Sequence, residues 1–288
     1  MNSPDLLKQI VDDAAIFPPG NVPLEQAVTE HRKHLAASYA TLVGGFVVSD
    51  ARLADLAVIT KSDDQALGIN VVVTGGAGAI EPAVRWATRA EGLELRALEI
   101  ALRDEDDLAR NAARVVAMVE HVRDDIGDDV GVYVEPPRAP DAPSHGWLAA
   151  LDEIAMADLR LKFRTGGMSA EAFPTGAELA RSIDAALDRE TPFKCTAGLH
   201  HAVCHTDPET GFAQHGFLNV LLATRAALDG GDVEAALADD RPAERIDPDS
   251  IASARRWFSS FGSCSVLDVH EDLVDLGLWT DQPGEGAS

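Results

Sequence analysis

The sequence is poor in cysteine and lacks any long run of apolar residues. Its three cysteines, Cys195, Cys204 and Cys264, are too few for a disulfide framework, which indicates a reducing compartment and predicts a cytoplasmic protein. No apolar run approaches the roughly 18 residues that a transmembrane helix needs, so we expect no membrane partner. Residues 1–5 also lack the basic and then apolar pattern of a signal peptide.

Basic residues are scarce relative to acidic ones. The chain has 24 lysines and arginines against 48 aspartates and glutamates, which gives a formal net charge of -24. A charge of this sign repels nucleic acids and anionic membranes. We therefore expect an acidic, solvated surface and no nucleic-acid partner.

Lysine is scarcer still, yet two of the five lysines occupy matching positions in two strand-like runs. Side chains alternate between the faces of a strand, so Lys162 and Arg164 share one face of the first run. Lys194 and Thr196 share a face of the second, and Cys195 belongs to the opposite, apolar face. Because unpaired buried charge is costly, cationic faces that point into a shared interior predict an active site. The two runs cover residues 159–167 and 192–201.

Eight strand-like runs alternate with helical patterns, at about 30 to 35 residues per unit. This alternation predicts a single-domain (β/α)8 barrel over residues 1–280, followed by a disordered tail at residues 281–288. A doubly wound open sheet is the alternative. The predicted strands cover residues 14–17, 42–50, 68–76, 95–103, 131–137, 159–167, 192–201 and 261–267. The predicted helices cover residues 24–37, 51–60, 81–90, 105–122, 146–156, 216–228, 233–238, 249–258 and 271–276, with one more between the sixth and seventh strands.

In such a barrel the functional side chains lie at the carboxyl ends of the strands. Two inward carboxylates there face three inward cations, and the excess positive charge predicts a small anionic substrate. We expect Arg164 to bind that anion through both guanidinium arms, with the backbone N–H groups of Gly166 and Gly167 close to it. Ser263 and Ser265, in the predicted eighth strand, are further substrate-binding candidates. The inward set is Glu99, Glu135, Lys162, Arg164, Lys194 and Thr196, and His200 and His201 follow just beyond the seventh strand.

Lys194 is the predicted nucleophile. A lysine inside a barrel, next to Lys162 and an arginine, is expected to have a lowered pKa, because burial and neighbouring cations disfavour the ammonium form. Its neutral amine would attack a carbonyl and form a Schiff base, an electron sink for C–C bond cleavage or condensation. Lys162 would act as the cationic neighbour and Glu135 as the proton shuttle. An interior ion-pair network without chemistry is the alternative interpretation.

Two short segments resemble the class I aldolases of the deoxyribose-phosphate type. Residues 193–198 (FKCTAG) are similar to the strand of that family that carries the Schiff-base lysine. Residues 161–167 (LKFRTGG) are similar to the strand in which a lysine precedes two glycines, and the order of the two strands is reversed here. The resemblance implies a Schiff-base lysine at Lys194 and an enzyme of aldolase or lyase type.

Two other functions are compatible with the same sequence. His200, His201, His205 and His215 crowd the loop after the predicted seventh strand, and with Glu135 they could hold zinc, manganese or iron in a metal-dependent hydrolase or lyase. A non-catalytic barrel that binds an anionic metabolite is the third hypothesis. The Schiff-base hypothesis needs no cofactor, whereas the second needs a divalent metal. All three hypotheses are compatible with a homo-oligomer.

Two histidines and one polar loop are not assigned to the chemistry of the site. His31 and His34 lie on a charged helix face, so we expect both to be exposed to solvent. Residues 204–214 form a polar loop, which is either a lid over the barrel mouth or a plain surface loop.

Overall fold

Parallel strands form the centre of the molecule. The computed structural model describes residues 4–61, 65–103 and 106–280. Its strands are β1 (Val11–Asp13), β2 (Val43–Ser49), β3 (Leu67–Val73), β4 (Leu93–Ala101), β5 (Gly131–Glu135), β6 (Arg160–Arg164), β7 (Phe193–Thr196), β8 (His205–Thr206), β9 (Ala213–Gln214) and β10 (Phe258–Ser263). Within the described ranges, β1 to β7 and β10 close into an eight-stranded barrel in which β10 pairs with both β7 and β1. The predicted (β/α)8 fold is therefore confirmed, and the open sheet is excluded.

Helices alternate with these strands and cover the outside of the barrel. Several begin at a residue whose side chain accepts a backbone N–H of the first turn, as Ser144, Thr175 and Ser265 do. The helices are α1 (Leu24–Leu35), α2 (Leu53–Thr60), α3 (Ile80–Arg89), α4 (Leu108–His121), α5 (Arg123–Ile126), α6 (His145–Met156), α7 (Gly176–Leu187), α8 (Phe217–Leu228), α9 (Val233–Leu237), α10 (Pro248–Arg255) and α11 (Val266–Asp275).

The alternation of faces in β6 and β7 follows the predicted pattern. Phe163 and Cys195 are buried on the helix side, where the ring of Phe163 lies 5.5 Å from that of Phe193. Lys162 and Lys194 pair in register on the opposite side, inside the barrel. The period of two thus assigns apolar side chains to the outer core and amines to the interior.

The first barrel strand lies earlier in the chain than predicted. β1 ends at Asp13, and residues 14–17 form a turn in which the N–H of Phe17 donates to the carbonyl of Ala14 over 2.9 Å. Oδ1 of Asp13 accepts the N–H of Ala15 at 3.1 Å and holds that turn. The apolar residues after Asp13 therefore line a loop, and the prediction of a strand there is wrong.

The last barrel strand is also displaced. β10 covers residues 258–263 rather than 261–267, and Phe258 belongs to this strand rather than to the preceding helix. Ser265 lies outside the strand because it caps α11, with Oγ accepting the N–H of Asp268 at 3.3 Å. The predicted position of Ser265 in the eighth strand is therefore wrong.

His31 is buried rather than exposed. It keeps 1% of its surface, its Nδ1 lies 2.9 Å from Oδ2 of Asp13, and its ring meets that of Phe46 edge-on. His34 is half-buried, with Nδ1 3.0 Å from the hydroxyl of Tyr39. The spacing i, i+3, i+4, i+7 turns one face of α1 toward the barrel, and His31 completes that face. The buried residues of α1 are Leu24, Ala27, Val28 and His31.

Two predicted features lie outside the described residues. They are the tail at residues 281–288 and the predicted first residue of the fourth helix, Glu105. No helix within the described part of the chain combines the length and the hydropathy required to cross a bilayer.

Candidate active site

Two buried lysines lie side by side in the barrel. The pairing of β6 with β7 sets Lys162 beside Lys194, and Arg164 beside Thr196 one layer nearer the carboxyl ends. Lys162 is 4% exposed and Lys194 is 1% exposed, whereas the side chain of Arg164 keeps 43% of its surface. The positions that the strand pattern turns inward are thus brought together in one place.

Three carboxylates hold the two ammonium groups. Nζ of Lys194 lies 2.6 Å from Oδ2 of Asp12 and 2.7 Å from Oε1 of Glu99. Nζ of Lys162 lies 2.7 Å from Oε2 of Glu99 and 3.1 Å from Oε2 of Glu135. Glu99 therefore bridges both amines. Such pairing is what makes charges tolerable in a dry interior.

Asp12 is the carboxylate that the sequence patterns did not indicate. Its Oδ2 also accepts Oγ–H of Ser260 at 2.7 Å, and its Oδ1 accepts the N–H of Gly45 at 3.0 Å. β1 is too short to show an alternating pattern, so the strand was predicted in the more apolar residues that follow. The apolar pair Ile10 and Val11, directly before an acidic residue, is the signal that could have located it.

The presence of Asp12 changes the charge balance of the interior. Nε of Arg164 lies 2.8 Å from Oε1 of Glu135, so each of the three cations Lys162, Lys194 and Arg164 has a carboxylate partner. Three carboxylates thus oppose three cations. The excess positive charge from which an anionic substrate was predicted does not exist in this network.

Both lysines are ammonium ions in the free protein. Burial lowers the pKa of Lys194, but the carboxylates of Asp12 and Glu99 raise it by more, so the pKa lies above the ordinary lysine value. At Lys162 burial is likewise outweighed by Glu99 and Glu135, and its pKa is raised. The predicted lowering of the Lys194 pKa is therefore wrong, because each amine has carboxylates as its nearest neighbours.

Glu99 and Glu135 stay ionised well into the acid range. Burial raises the pKa of Glu99, but Lys162 and Lys194 lower it by more, to about 2. At Glu135 burial is similarly outweighed by Lys162 and Arg164, and its pKa is lowered. At neutral pH Glu99, Glu135 and both lysines are therefore charged.

Tyr133 closes the interior beneath Lys194. The centroid of its ring lies 5.2 Å from Nζ of Lys194. Its hydroxyl lies 3.0 Å from Oγ of Ser259 and accepts Nη1–H of Arg160 at 3.0 Å. Tyr133 therefore contacts Lys194 through its ring and Arg160 through its hydroxyl.

An inner cavity of about 380 Å³ lies on the carboxyl side of the lysines. This volume is within the range of small-molecule sites. Its wall includes Glu99 but not Glu135. The other polar and ionisable lining residues are Lys162, Lys194, Arg164, Thr196, His200 and Cys264. The apolar lining residues include Phe17, Val47, Val72, Met168 and Ala172.

The loops after β6 and β7 pack backbone against backbone beside the inner cavity. Oγ1 of Thr165 donates to the carbonyl of Thr196 over 3.2 Å. A Cβ on Gly166 would lie 2.8 Å from Cα of Gly198, and Gly198 has a φ of +72°, so both positions require glycine. Gly166 and Gly167 line the cavity as expected, but this close packing accounts for Gly166 without a ligand.

His200 reaches the inner cavity from the loop after β7. Its Nδ1 lies 3.2 Å from Oγ of Ser263 and 3.6 Å from Sγ of Cys264. Burial lowers the pKa of His200, so the ring is neutral at pH 7. Of the two serines predicted near the substrate, Ser263 contacts a cavity side chain, whereas Ser265 serves the helix cap.

An outer cavity of about 350 Å³ adjoins the inner one at the barrel mouth. The loop of residues 204–214 forms the β8–β9 hairpin and supplies part of its wall. The ring of Phe212, in this hairpin, lies 5.4 Å from that of Phe173 across the mouth. The ionisable lining residues of the outer cavity are His200, His201, His205, Asp207, Glu209, Cys264 and Asp268.

The predicted metal ligands do not meet at one point. Nδ1 of His201 lies 3.2 Å from Oδ2 of Asp272, and Nε2 of His215 lies 2.9 Å from the carbonyl oxygen of Pro174. Glu135 contacts Lys162 instead. Among the described residues, no group of three or more histidine, cysteine, aspartate or glutamate side chains is arranged to hold a metal ion.

Comparison with known proteins supports the fold of this chain but does not assign the chain to a family. No family model matches the chain, and no curated protein matches its sequence. A deoxyribose phosphate aldolase from Aeropyrum pernix, described as tetrameric, matches with a TM-score of 0.57 at 11% identity, over 95% of this chain and 93% of that one. DHPS from Yersinia pestis, with a pterine-sulfa conjugate, has a TM-score of 0.44 at 11% identity, over 95% and 94%. The predicted resemblance to deoxyribose-phosphate aldolases is confirmed as a weak likeness, at the level of the barrel fold.

Proposed function

We propose that this barrel is a Schiff-base enzyme of the lyase or aldolase type that acts on a small carbonyl compound. One observation carries the proposal: two lysine amines share the carboxylate of Glu99 at the floor of a cavity of small-molecule size. Stability alone does not explain this network of ion pairs, because apolar residues of similar volume often stabilise a core as well or better. Buried charge beside an open cavity is better explained by chemistry.

Lys194 is the proposed nucleophile, and it must first lose a proton. Oδ2 of Asp12 and Oε1 of Glu99 lie 2.6 and 2.7 Å from its Nζ, within proton-transfer distance. Transfer to either carboxylate leaves the net charge of the interior unchanged. It also replaces an ion pair by a neutral pair, the form that desolvation favours once a substrate displaces water from the cavity.

The neutral amine then attacks the carbonyl carbon, and the carbinolamine loses water to give an iminium ion. We assign the accompanying proton transfers to Glu99, because it contacts both amines and lines the cavity. Glu135, the shuttle expected from the sequence, instead holds Lys162 and Arg164 in place. Lys162 stays cationic and stabilises charge on the carbonyl oxygen. In the cleavage direction the iminium ion accepts the electron pair of the C–C bond next to its α-carbon and becomes an enamine, while a base takes the proton of the β-hydroxyl group, which becomes the carbonyl of the first product. Protonation of the enamine and addition of water to the iminium ion then release the second product and free Lys194. Condensation is the reverse.

Borohydride trapping tests this proposal. The full chain is incubated with acetaldehyde, acetone or pyruvate, reduced, and mapped by peptide mass spectrometry. We expect a reduced adduct on Lys194, and none there in Lys194→Arg, which keeps the charge but cannot form a Schiff base. Lys33→Arg is the matched control, since its side chain is 65% exposed on α1. An adduct on Lys162 alone would exchange the roles of the two lysines, and no adduct on either would reject the proposal.

The two alternatives make different predictions. A non-catalytic barrel would bind a metabolite without any borohydride-stable adduct. A metal-dependent enzyme would lose activity with a chelator, but no convergent ligand group within the described residues supports it. Assembly of identical chains and a cytoplasmic location stay predictions, and light scattering on the purified protein tests the first.

A further inference from the structure

We propose that the substrate is an unphosphorylated aldehyde or ketone with an apolar substituent, an inference that rests on the Schiff-base function above. Four observations support it: the charges of the outer cavity, three backbone donors near it that already have acceptors, the paired cations of the inner cavity, and the apolar wall of the inner cavity. The first three concern places where the phosphate of a phosphorylated substrate would have to be bound.

The outer cavity is unsuited to a phosphate. Barrels of this fold frequently bind phosphate between the loops after the seventh and eighth strands, at the start of a nearby helix. Here that region carries Asp207, Glu209 and Asp268, and among the described residues its lining includes no lysine or arginine. A phosphate dianion there would face carboxylates without a cation to offset them.

Three backbone donors of this region already have acceptors within the chain. Oγ of Ser265 accepts the N–H of Asp268 at 3.3 Å, and Oγ of Ser263 accepts the N–H of Ser265 at 3.2 Å. Oδ2 of Asp272 accepts the N–H of Ala202 at 2.6 Å, which joins the loop after β7 to α11. These three N–H groups are therefore already used and do not offer a binding site for an anion.

The cations of the inner cavity are matched as well. Lys162, Lys194 and Arg164 have carboxylate oxygens at 2.7, 2.6 and 2.8 Å. A phosphate on Lys162 or Lys194 would compete with these buried carboxylates. A phosphate on the outer N–H groups of Arg164 would have to share one guanidinium charge with Glu135. A neutral carbonyl oxygen needs only one hydrogen-bond donor and disturbs no pair.

The inner cavity offers an apolar surface to the rest of the substrate. Phe17, Val47, Val72 and Ala172 line it, and Met168, 72% exposed overall, borders both cavities. Apolar surface left open beside polar reactive groups is typical of a site that buries a hydrocarbon group. Each methylene buried there is expected to tighten binding by up to about fourfold.

Matched probes test this inference. The full chain is trapped with borohydride in the presence of propanal or hexanal, and of glyceraldehyde or glyceraldehyde 3-phosphate, and labelling is quantified on the peptides of Lys162 and Lys194. We expect half-maximal labelling by hexanal at a concentration at least about tenfold below that of propanal. We expect glyceraldehyde 3-phosphate to need at least about tenfold more than glyceraldehyde.

A charge-reversing variant distinguishes electrostatic repulsion of the phosphate group from an effect of its larger size. Asp268→Arg is expected to improve labelling by the phosphate several-fold and to leave labelling by glyceraldehyde unchanged. Asp275→Arg, in the last turn of the same helix, is the control and should change neither. Equal or better labelling of either lysine by glyceraldehyde 3-phosphate, or no gain from propanal to hexanal, would overturn this inference and leave the Schiff-base function standing. No labelling of either lysine by any probe would reject the Schiff-base function itself.

Discussion

Nζ of Lys194 lies 2.6 Å from Oδ2 of Asp12, although 182 positions separate the two residues in the chain. β10 lies between their strands in the barrel, so the pair bridges across one strand and joins the first strand to the seventh. It also sets the charge of the site, because without Asp12 the interior would carry an unmatched cation. Much of the chemistry proposed above depends on this one contact.

Removal of the Asp12 charge should destabilise the fold. Asp12→Asn keeps the shape and an acceptor for Gly45, but it leaves the Lys194 ammonium with Glu99 alone. We expect the free energy of unfolding at pH 7 to fall by about 3 kcal/mol in urea denaturation. Asp55→Asn, which removes an exposed partner of Arg52, should change it by less than about 0.5 kcal/mol. An unchanged midpoint for Asp12→Asn would show that the pair adds nothing to stability.

Glu99 should make stability depend on acid pH. Its pKa of about 2 in the folded protein lies below the ordinary 4.5, so the unfolded chain binds more protons between these values. The contribution of Glu99, about 3 kcal/mol, is therefore complete above about pH 4.5 and is lost as the pH falls toward 2.

Unfolding of Glu99→Gln measured from about pH 6 to pH 2 checks this dependence. We expect a lower stability at neutral pH and a shallower acid decline than in the wild type. Glu120→Gln, at an exposed position of α4, should keep the wild-type slope. Parallel slopes for wild type and Glu99→Gln would contradict the assigned role.

The loop contact beside the cavity should be sensitive to one added carbon. Cβ of Gly198→Ala would lie 2.7 Å from the carbonyl oxygen of Thr165, in addition to requiring a left-handed backbone. Gly230 has a similar φ of +69° and no atom within 4 Å of its Cβ position, so Gly230→Ala isolates the backbone cost, about 1 kcal/mol. We expect Gly198→Ala to cost about 2 kcal/mol more than this in urea denaturation. Equal losses of unfolding free energy in the two variants would show that the loops after β6 and β7 can move apart to accept the added methyl group.

The buried pair behind β1 should show energetic coupling. His31→Leu leaves the carboxylate of Asp13 in the core with the N–H of Ala15 as its remaining partner, and we expect a loss of about 2 kcal/mol. Asp13→Asn and the double variant complete a thermodynamic cycle. The double variant should lose less than the sum of the single losses, because the second change removes an orphaned group. Strict additivity would show that the contact has no energetic value.

The interior of β6 and β7 could be predicted because a strand's backbone alone determines which side chains share a face. The apolar residues Phe163 and Cys195 mark the outer side, so Lys162 and Lys194 must point inward. The same rule gave Glu99 and Glu135. The rule needs several consecutive strand residues, and each of the strands β4 to β7 has at least four.

The remaining contacts of the site depend on closure of the barrel. β1 has three residues, too few to display a period, and Asp12 meets Lys194 only because β10 pairs with β1. The pKa of Lys194 was misjudged partly for the same reason, since Asp12, which raises it more than any other group does, was not predicted to lie there. His31 was predicted to be exposed because its neighbours on α1 are charged. The sequence does not show that the buried carboxylate of Asp13 lies beside its ring.

The ring of Tyr133 under Lys194 has a spectroscopic consequence. With carboxylates beside the ammonium group and an aromatic ring beneath it, the protons of Lys194 are held in charge-assisted hydrogen bonds. Because the residue is only 1% exposed, they exchange with water more slowly than those of an exposed lysine. Nitrogen-15 NMR at neutral pH should therefore resolve a signal from this side chain, whereas the exposed amine of Lys33 exchanges too fast to give one. Disappearance of that signal on addition of an aldehyde would report the state of the nucleophile directly, in solution and without reduction.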